Sequence, residues 1–487
     1  MKTLSEVPQG FALPEEHLQK KLSPLNVWAL ALGCIIGWGA FIMPGEIFLV
    51  KAGPLGTTIA MLAAAVILII ISINYYYMIK RYPVAGGEFI YVNAMFGQKN
   101  AFICSWFLAL CYLSIVPLNA TALALIFRTV LHDFFSFQFG FHYTIAGYDV
   151  YMGEVMLALT ALCLFAWLSI RGVSITGKFQ TLLVFCLVGG IALVSAAAFT
   201  NPQVTLSNFS PGFPPNVSNH LVAILSILAI SPWAFVGFDT IPQAAEEFNF
   251  SPARSLFIMI IAILFGAIAY AALNMITISI LPPGFDNWVD YIAASKTASG
   301  LMTLPTFYST YMLLGQAGLI VLSASVIAAI LSGLLGFYMA TSRLIFAMSR
   351  DKVIPELFSK LHSEYKTPRN AILFILAVSV IAPFMGRTVL GWIVDMASLG
   401  AAVGYGYTSL VAYKYAKENG DTAIKITGIL GTLFAAIFAI LLIVPIPYFN
   451  ISLGKESYFA LLIWVIIGYY FYRSRKTSDS TPPHTIK

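Results

Sequence analysis

Apolar stretches long enough to cross a bilayer recur from Trp28 almost to the C-terminus of this 487-residue chain. A helix rises about 1.5 Å per residue, so about 20 apolar residues span the hydrocarbon core. Inside lipid no water satisfies a free amide or carbonyl, which leaves helices or a closed barrel as the only spanning structures. Runs of this length predict an all-α integral membrane protein rather than a barrel. With 59% hydrophobic and 10% charged residues, much of the surface must be solvated by lipid.

The apolar segments begin near Asn26, Gly56, Ala101, Val150, Ile175, His220, Ser255, Tyr308, Asn370, Thr388, Ala423 and Tyr458. About twelve transmembrane helices are therefore predicted, with both termini on one side. Basic residues test this, because Lys and Arg accumulate on the cytoplasmic side. With the N-terminus inside, the outer ends hold Lys51, Arg128, Lys296, Arg387 and Lys455, leaving 22 of the 27 basic residues on the inner side. The expected organisation is a cytoplasmic segment 1–25, a transport core 26–416 of helices 1–10, helices 11–12 over 417–474, and a cytoplasmic tail 475–487. The expected location is the cell (inner or plasma) membrane, multi-pass, with cytoplasmic termini.

Composition also excludes. Cys34, Cys104, Cys111, Cys163 and Cys186 lie inside apolar runs, which argues against a disulfide framework or a metal cluster and for small packing residues. The N-terminus carries Glu15, Glu16, Lys20 and Lys21 and lacks the basic-then-apolar layout of a signal peptide. Basic residues are spread singly, so no nucleic acid partner is predicted. Asn208 and Asn216 open glycosylation-type triplets, a pattern that arises readily by chance. No His, Cys or paired-carboxylate constellation sits at membrane depth, so no catalytic residue, metal site or cofactor is expected and the chain reads as a non-enzyme.

Two segments interrupt the apolar pattern. One reads Gly33-Cys-Ile-Ile-Gly37-Trp38-Gly39-Ala-Phe-Ile-Met-Pro44-Gly45, the other Ser231-Pro232-Trp233-Ala-Phe235-Val-Gly237-Phe238-Asp239-Thr-Ile-Pro242. Glycine and proline also serve close packing and kinks in membrane helices. Breaks at positions one and six, however, are the layout of two inverted five-helix repeats meeting at a central site. Unwinding would free amides near Trp38, Gly39 and Ala40 at a positive helix end, where a carboxylate docks. Carbonyls at Ile35 and around Trp233 to Phe235 would accept from an ammonium group, so the pair suits a zwitterionic amino acid head. Gly37 and Gly237 belong to the same breaks. Gly39→Leu is predicted to fill this cleft, and Gly56→Leu in helix two to spare it.

At these residues the chain resembles the amino acid–polyamine–organocation permease superfamily. Further stretches carry the resemblance: Tyr82-Pro-Val-Ala-Gly-Gly-Glu88, Gly237-Phe-Asp-Thr with Ala245-Glu-Glu247 and Pro252, Ser342-Arg343 through Arg350-Asp351, Pro355, and Thr367-Pro368. It implies a leucine-transporter-type 5+5 inverted repeat with broken helices 1 and 6, and substrate bound between helices one, three, six, eight and ten. It also implies secondary active transport of amino acids or related amines by alternating access, coupled to an ion or to exchange, without ATP. Sodium-dependent relatives use carbonyls corresponding to Gly33 and Ile36 plus helix-eight hydroxyls, for which Ser332 is the candidate. Some proton-dependent relatives place a lysine midway along helix five, but Phe179 to Phe199 carries no charge and Lys178 lies near the inner end. The implied partners are thus a small-molecule substrate, H+ or Na+, and membrane lipid. Trp38 departs by placing an indole in the first break. Glu46, after the Pro-Gly, either faces an outer vestibule or is simply solvated.

Asp239 is the acid placed deepest, either to carry a proton or to cap freed amides beside the second break. Glu88, Glu246 and Glu247 lie near Arg81 and Arg343 and form a candidate inner gate. Helix three offers Tyr112, Ser114 and Asn119 toward the substrate, and Phe235 is the expected aromatic lid. The alternatives are a polyamine or organic-cation permease and, further off, a permease-like nutrient sensor.

Overall fold

The computed structural model describes residues 17–132, 135–446 and 452–473. The tail from 475 and most of segment 1–25 lie outside the described residues. Helix α1 (Pro24–Ile35) begins where Ser23 and Asn26 exchange side-chain and backbone hydrogen bonds, with proline at the first position needing no donor. Such a cap contributes about 0.5–2 kcal/mol. The chain then leaves helical geometry at Ile36 (φ −94°, ψ 79°) and resumes as α2 (Gly39–Met43) and a π-helical turn, Pro44–Phe48. Helix α3 (Leu49–Arg81) is bent at Gly53 (φ 67°, ψ −174°), a left-handed backbone where a Cβ would lie 2.8 Å from the Gly212 carbonyl oxygen.

Helix α4 (Glu88–Thr129) is bent at Gly97, so Glu88–Phe96 forms a lead-in before the apolar part that begins near Ala101. Strands β1 (His142–Ile145) and β2 (Tyr148–Tyr151) pair as an antiparallel hairpin turning at Ala146–Gly147. This hairpin is a local exception in a mostly helical chain: it lies almost wholly ahead of the apolar run that begins near Val150, where water tolerates a strand edge. Then follow α5 (Met152–Ile170), α6 (Val173–Thr200), α7 (His220–Ala234), the short α8 (Thr240–Gln243), α9 (Ser255–Ile278) and α10 (Trp288–Ser295). Helix α11 (Pro305–Arg350) is bent at Gly315; α12 (Arg369–Ser379), α13 (Gly386–Asp395), α14 (Ala397–Asn419), α15 (Thr422–Ile443) and α16 (Lys455–Arg473) complete the bundle.

Among the described residues eight helical stretches are long and apolar enough to cross a membrane, and Pro24–Ile35 and His220–Ala234 are shorter apolar helices. The chain is a multi-pass membrane protein with its polarity turned inward. Leu182, Phe185 and Leu193 on α6, and Leu433, Ile437 and Ile440 on α15, are exposed, whereas Asn74, Glu88, Asp239, Glu247 and Arg343 are buried. That inversion is what lipid demands. Two ends of the bundle can be told apart. Leu18, Ala85, Glu246 and Arg350 gather at one; Gly53, Gly212, Tyr148 and Arg387 lie toward the other.

Candidate functional site

The two interruptions face each other. Helix α7 ends at Ala234, and the segment to α8 turns at Gly237 (φ 150°), where a Cβ would lie 2.6 Å from the Ile35 amide nitrogen and 2.8 Å from the Ala31 carbonyl oxygen. Only glycine permits that approach. Tyr270 of α9 ties the gaps together: its hydroxyl is 3.2 Å from the Ile35 carbonyl oxygen and 3.0 Å from that of Ala234. One proton therefore serves two carbonyls that the breaks have deprived of helical donors. Asp239 closes the second break from within, accepting from the Gly237 amide at 2.7 Å and from the Tyr112 hydroxyl at 2.8 Å.

A cavity of about 470 Å³ opens beside the breaks. Gly37, Trp38 and Gly39 from the first gap, and Trp233 and Val236 from the second, form its floor with Cys34, Ile35 and Tyr270. Its walls are largely apolar, with Asn119 of α4 among them, and its mouth carries Glu46, Lys51, Arg387 and Asp395. Glu46 and Asp395 are exposed there. The Arg387 guanidinium sits 5.9 Å from the Trp38 ring centroid and donates to the Thr121 hydroxyl at 3.1 Å. No atom lies within 4 Å of where a Gly37 Cβ would point, so that glycine faces open space.

Two ion pairs bridge the Arg350 end. Arg343 donates to both oxygens of Glu247 at 2.7 and 3.2 Å, both side chains nearly inaccessible. Glu246 accepts from Arg350 at 3.0 Å and from the Leu18 and Ala85 amides at 3.0 Å each. Leu22 forms an isolated bridge to Phe248, donating to the Glu247 carbonyl and accepting from the Asn249 amide. The turn carrying Glu246 lies outside the spanning helices. Burial pushes its carboxyl upward, but Arg350 and the two amides outweigh it and hold it below the ordinary value.

A family model described as amino acid permease matches residues 22–468. The chain belongs to the amino acid permease family. The permease is similar to the methylthioribose transporter of Bacillus subtilis, 25% identical over 95% of each chain. It is similar also to the branched-chain amino acid permease BcaP of the same organism, 26% identical over 95% of each. A third relative is the vacuolar cationic amino acid transporter 4 of Arabidopsis thaliana, 25% identical over 83% of this chain and 65% of that one.

In the permease, Ile35, Gly37, Trp38, Gly39 and Trp233 of the predicted substrate set line the cavity, and Phe235, Gly237, Asp239, Ala40 and Tyr112 do not. Phe235 is fully buried against Tyr270, ring centroids 5.8 Å apart, so Trp233 rather than Phe235 is the aromatic over the cleft. The reason is local: the backbone leaves the helix at Phe235 (φ −110°, ψ 7°), turning its ring toward α9. The Ala40 amide donates to the Gly37 carbonyl and is already engaged. Tyr112 meets Asp239 instead, and Ser114 bonds back to Cys111, so of these three polar residues Asn119 lines the cavity, beside Ile115 and Leu118 of the same helix.

Of the predicted ion group, the Ser332 hydroxyl lies 3.1 Å from the Gly33 carbonyl oxygen, and Ile36 is buried beside the break. Gln180 of α6 donates to the Ala29 carbonyl at 3.3 Å, and a Cβ at Gly33 would lie 2.6 Å from that amide nitrogen. Of the predicted gate, Glu246, Glu247 and Arg343 meet at the Arg350 end. Glu88 and Arg81 do not join them: Glu88 bonds Tyr75 and Gln243, and Arg81 lies over the Tyr77 and Tyr415 rings. Sequence reasoning missed Tyr270, because only packing reveals that this face of α9 meets both gaps.

Proposed function

We propose that this permease is a secondary active transporter that carries an amino acid across the cell membrane by alternating access. The observation that carries the reading is a pair of facing main-chain gaps at the floor of a cavity that reaches exposed residues at the Arg387 end, while buried ion pairs bridge the Arg350 end. In this reading twelve spans form a core of two inverted five-helix repeats, residues 26–416, with helices one and six broken and helices 11–12 outside it. The Arg350 end and both termini are cytoplasmic, in keeping with the 22 basic residues assigned to that side. The conformation then faces outward.

The substrate carboxylate docks at the Trp38 and Gly39 amides, and its ammonium group competes with Tyr270 for the Ile35 and Ala234 carbonyls. Apolar walls and Trp233 select an apolar side chain. Glu46 and Asp395 at the mouth are offset by Lys51 and Arg387, which disfavours a polyamine. Coupling by sodium would require an ion to displace the Ser332 hydroxyl from Gly33. Exchange or proton coupling needs no such displacement. Counterflow in proteoliposomes tests the reading: trans-loaded apolar amino acid should accelerate labelled uptake, and no exchange of any common amino acid would sink it.

A further inference from the structure

Glu88 is fully buried and lies apart from the cavity, at the first position of α4. Its carboxyl meets the Tyr75 hydroxyl at 2.8 Å and the Gln243 side-chain amide at 2.5 Å. The groups that face it are Tyr75 of α3, Tyr91, Cys104, Cys111 and Tyr112 of α4, Asp239 beside the second gap, Gln243 of α8 and Tyr405 of α14. None is cationic, and Asp239 carries the same sign. Glu246 and Glu247 each have an arginine, whereas Glu88, like Asp239, has only uncharged donors. Glu88 is thus a buried acid with no countercharge among the described residues.

An isolated carboxylate taken out of water is costly enough that such a group neutralises instead. The positive start of α4 favours the anion, but one helix end offsets little of the loss of hydration. Gln243 donates from its amide nitrogen, and its buried side-chain oxygen has no partner among the described residues. Gln243 is the last residue of α8, immediately beyond the second gap, and packs tightly on the start of α4: a Cβ at Gly87 would lie 2.9 Å from its amide nitrogen. A movement of α8 away from the start of α4 would uncover Glu88.

We propose that Glu88 is a proton-binding site, held as the neutral acid while the Arg350 end is closed and exchanging its proton with water on that side when α8 moves away. In the step a hydronium ion gives its proton to the carboxylate, forming one O–H bond and leaving water. Closure of that end thereby becomes dependent on pH on the Arg350 side. The gating part rests on the transport reading above, whereas the proton site does not.

Infrared spectroscopy of the full chain in liposomes at neutral pH tests the site without transport. The carbonyl stretch of a protonated carboxylic acid should be present in wild type, vanish in Glu88→Gln and persist in Asp239→Asn. Its absence from wild type, or its survival in Glu88→Gln, overturns the proposal. Glu88→Gln mimics the neutral acid and should keep the wild-type thermal midpoint at pH 7; a clear fall would count equally against it. In counterflow, raising the pH on the Arg350 side should slow wild type severalfold and leave Glu88→Gln flat, and parallel profiles overturn the gating. If no amino acid is exchanged while the infrared signal behaves as stated, the transport reading fails and the proton site stands.

Discussion

Substituting Gly39 attacks the cleft where the two gaps meet. A Cβ there would collide with the outer edge of the Trp233 indole and lie 3.2 Å from two further ring carbons. Trp233 itself lines the cavity, so displacing its ring alters the space proposed for substrate. Overpacking by a methyl group costs about 1–3 kcal/mol. At about 1.4 kcal/mol per decade, Gly39→Ala should weaken binding roughly 5- to 150-fold. Gly39→Leu adds a branched side chain to the same place and should abolish measurable binding. Gly56 fails as the control expected from sequence, because a Cβ there would lie 2.7 Å from Phe213. Gly189 on α6 is exposed with no neighbour within 4 Å, so Gly189→Leu should bind as wild type does. Thermal-shift screening against an amino acid panel identifies the ligand, and titration calorimetry gives the three affinities. Equal affinities for Gly39→Leu and Gly189→Leu would refute the placement of the site.

Three further outcomes follow from named contacts. Tyr270→Phe leaves the Ile35 and Ala234 carbonyls short of a donor, which should cost about 1–3 kcal/mol of stability, read as a lower thermal midpoint that bound substrate partly restores. Arg343→Ala strands Glu247 as a buried unpaired charge and should cost about 3–5 kcal/mol, whereas Arg343→Met with Glu247→Leu should recover most of the wild-type midpoint. Glu246 is held below its ordinary value, so its stabilisation is complete above about pH 4.3 and is lost as pH falls through the lower folded value. The gap in thermal midpoint between wild type and Glu246→Gln should therefore be full at pH 7 and close in acid; a gap that widened on acidification would contradict the sign.

The helix ends at Ile35 and Ala234 were legible because they are local. Gly37, Gly39, Pro232 and Gly237 act on their own backbone, and helix starts near Asn26, His220 and Ser255 are set by adjoining residues, so each could be read from its neighbours. What sequence could not give depends on which faces meet. Tyr270 looks like any aromatic in an apolar helix until α9 packs across both gaps. Phe235 reads as the lid until the turn there sends its ring inward and leaves Trp233 at the cavity. Glu88 sits in a motif beside Arg81 and reads as half of an ion pair, yet Arg81 lies over Tyr77 and Tyr415. Arg387 reads as a topology marker and is found above Trp38. The hairpin at His142–Tyr151 lies almost wholly ahead of the apolar run that begins near Val150, where hydropathy carries no signal.

The decisive measurement is an experimental structure of the permease in lipid with a saturating amino acid selected by thermal shift. The expected result is ligand density at the facing gaps, its carboxylate against the Trp38 and Gly39 amides and its ammonium group at the Ile35 and Ala234 carbonyls. Ligand bound elsewhere, or α1 and α7 continuing as unbroken helices through Gly37 and Gly237, would contradict it.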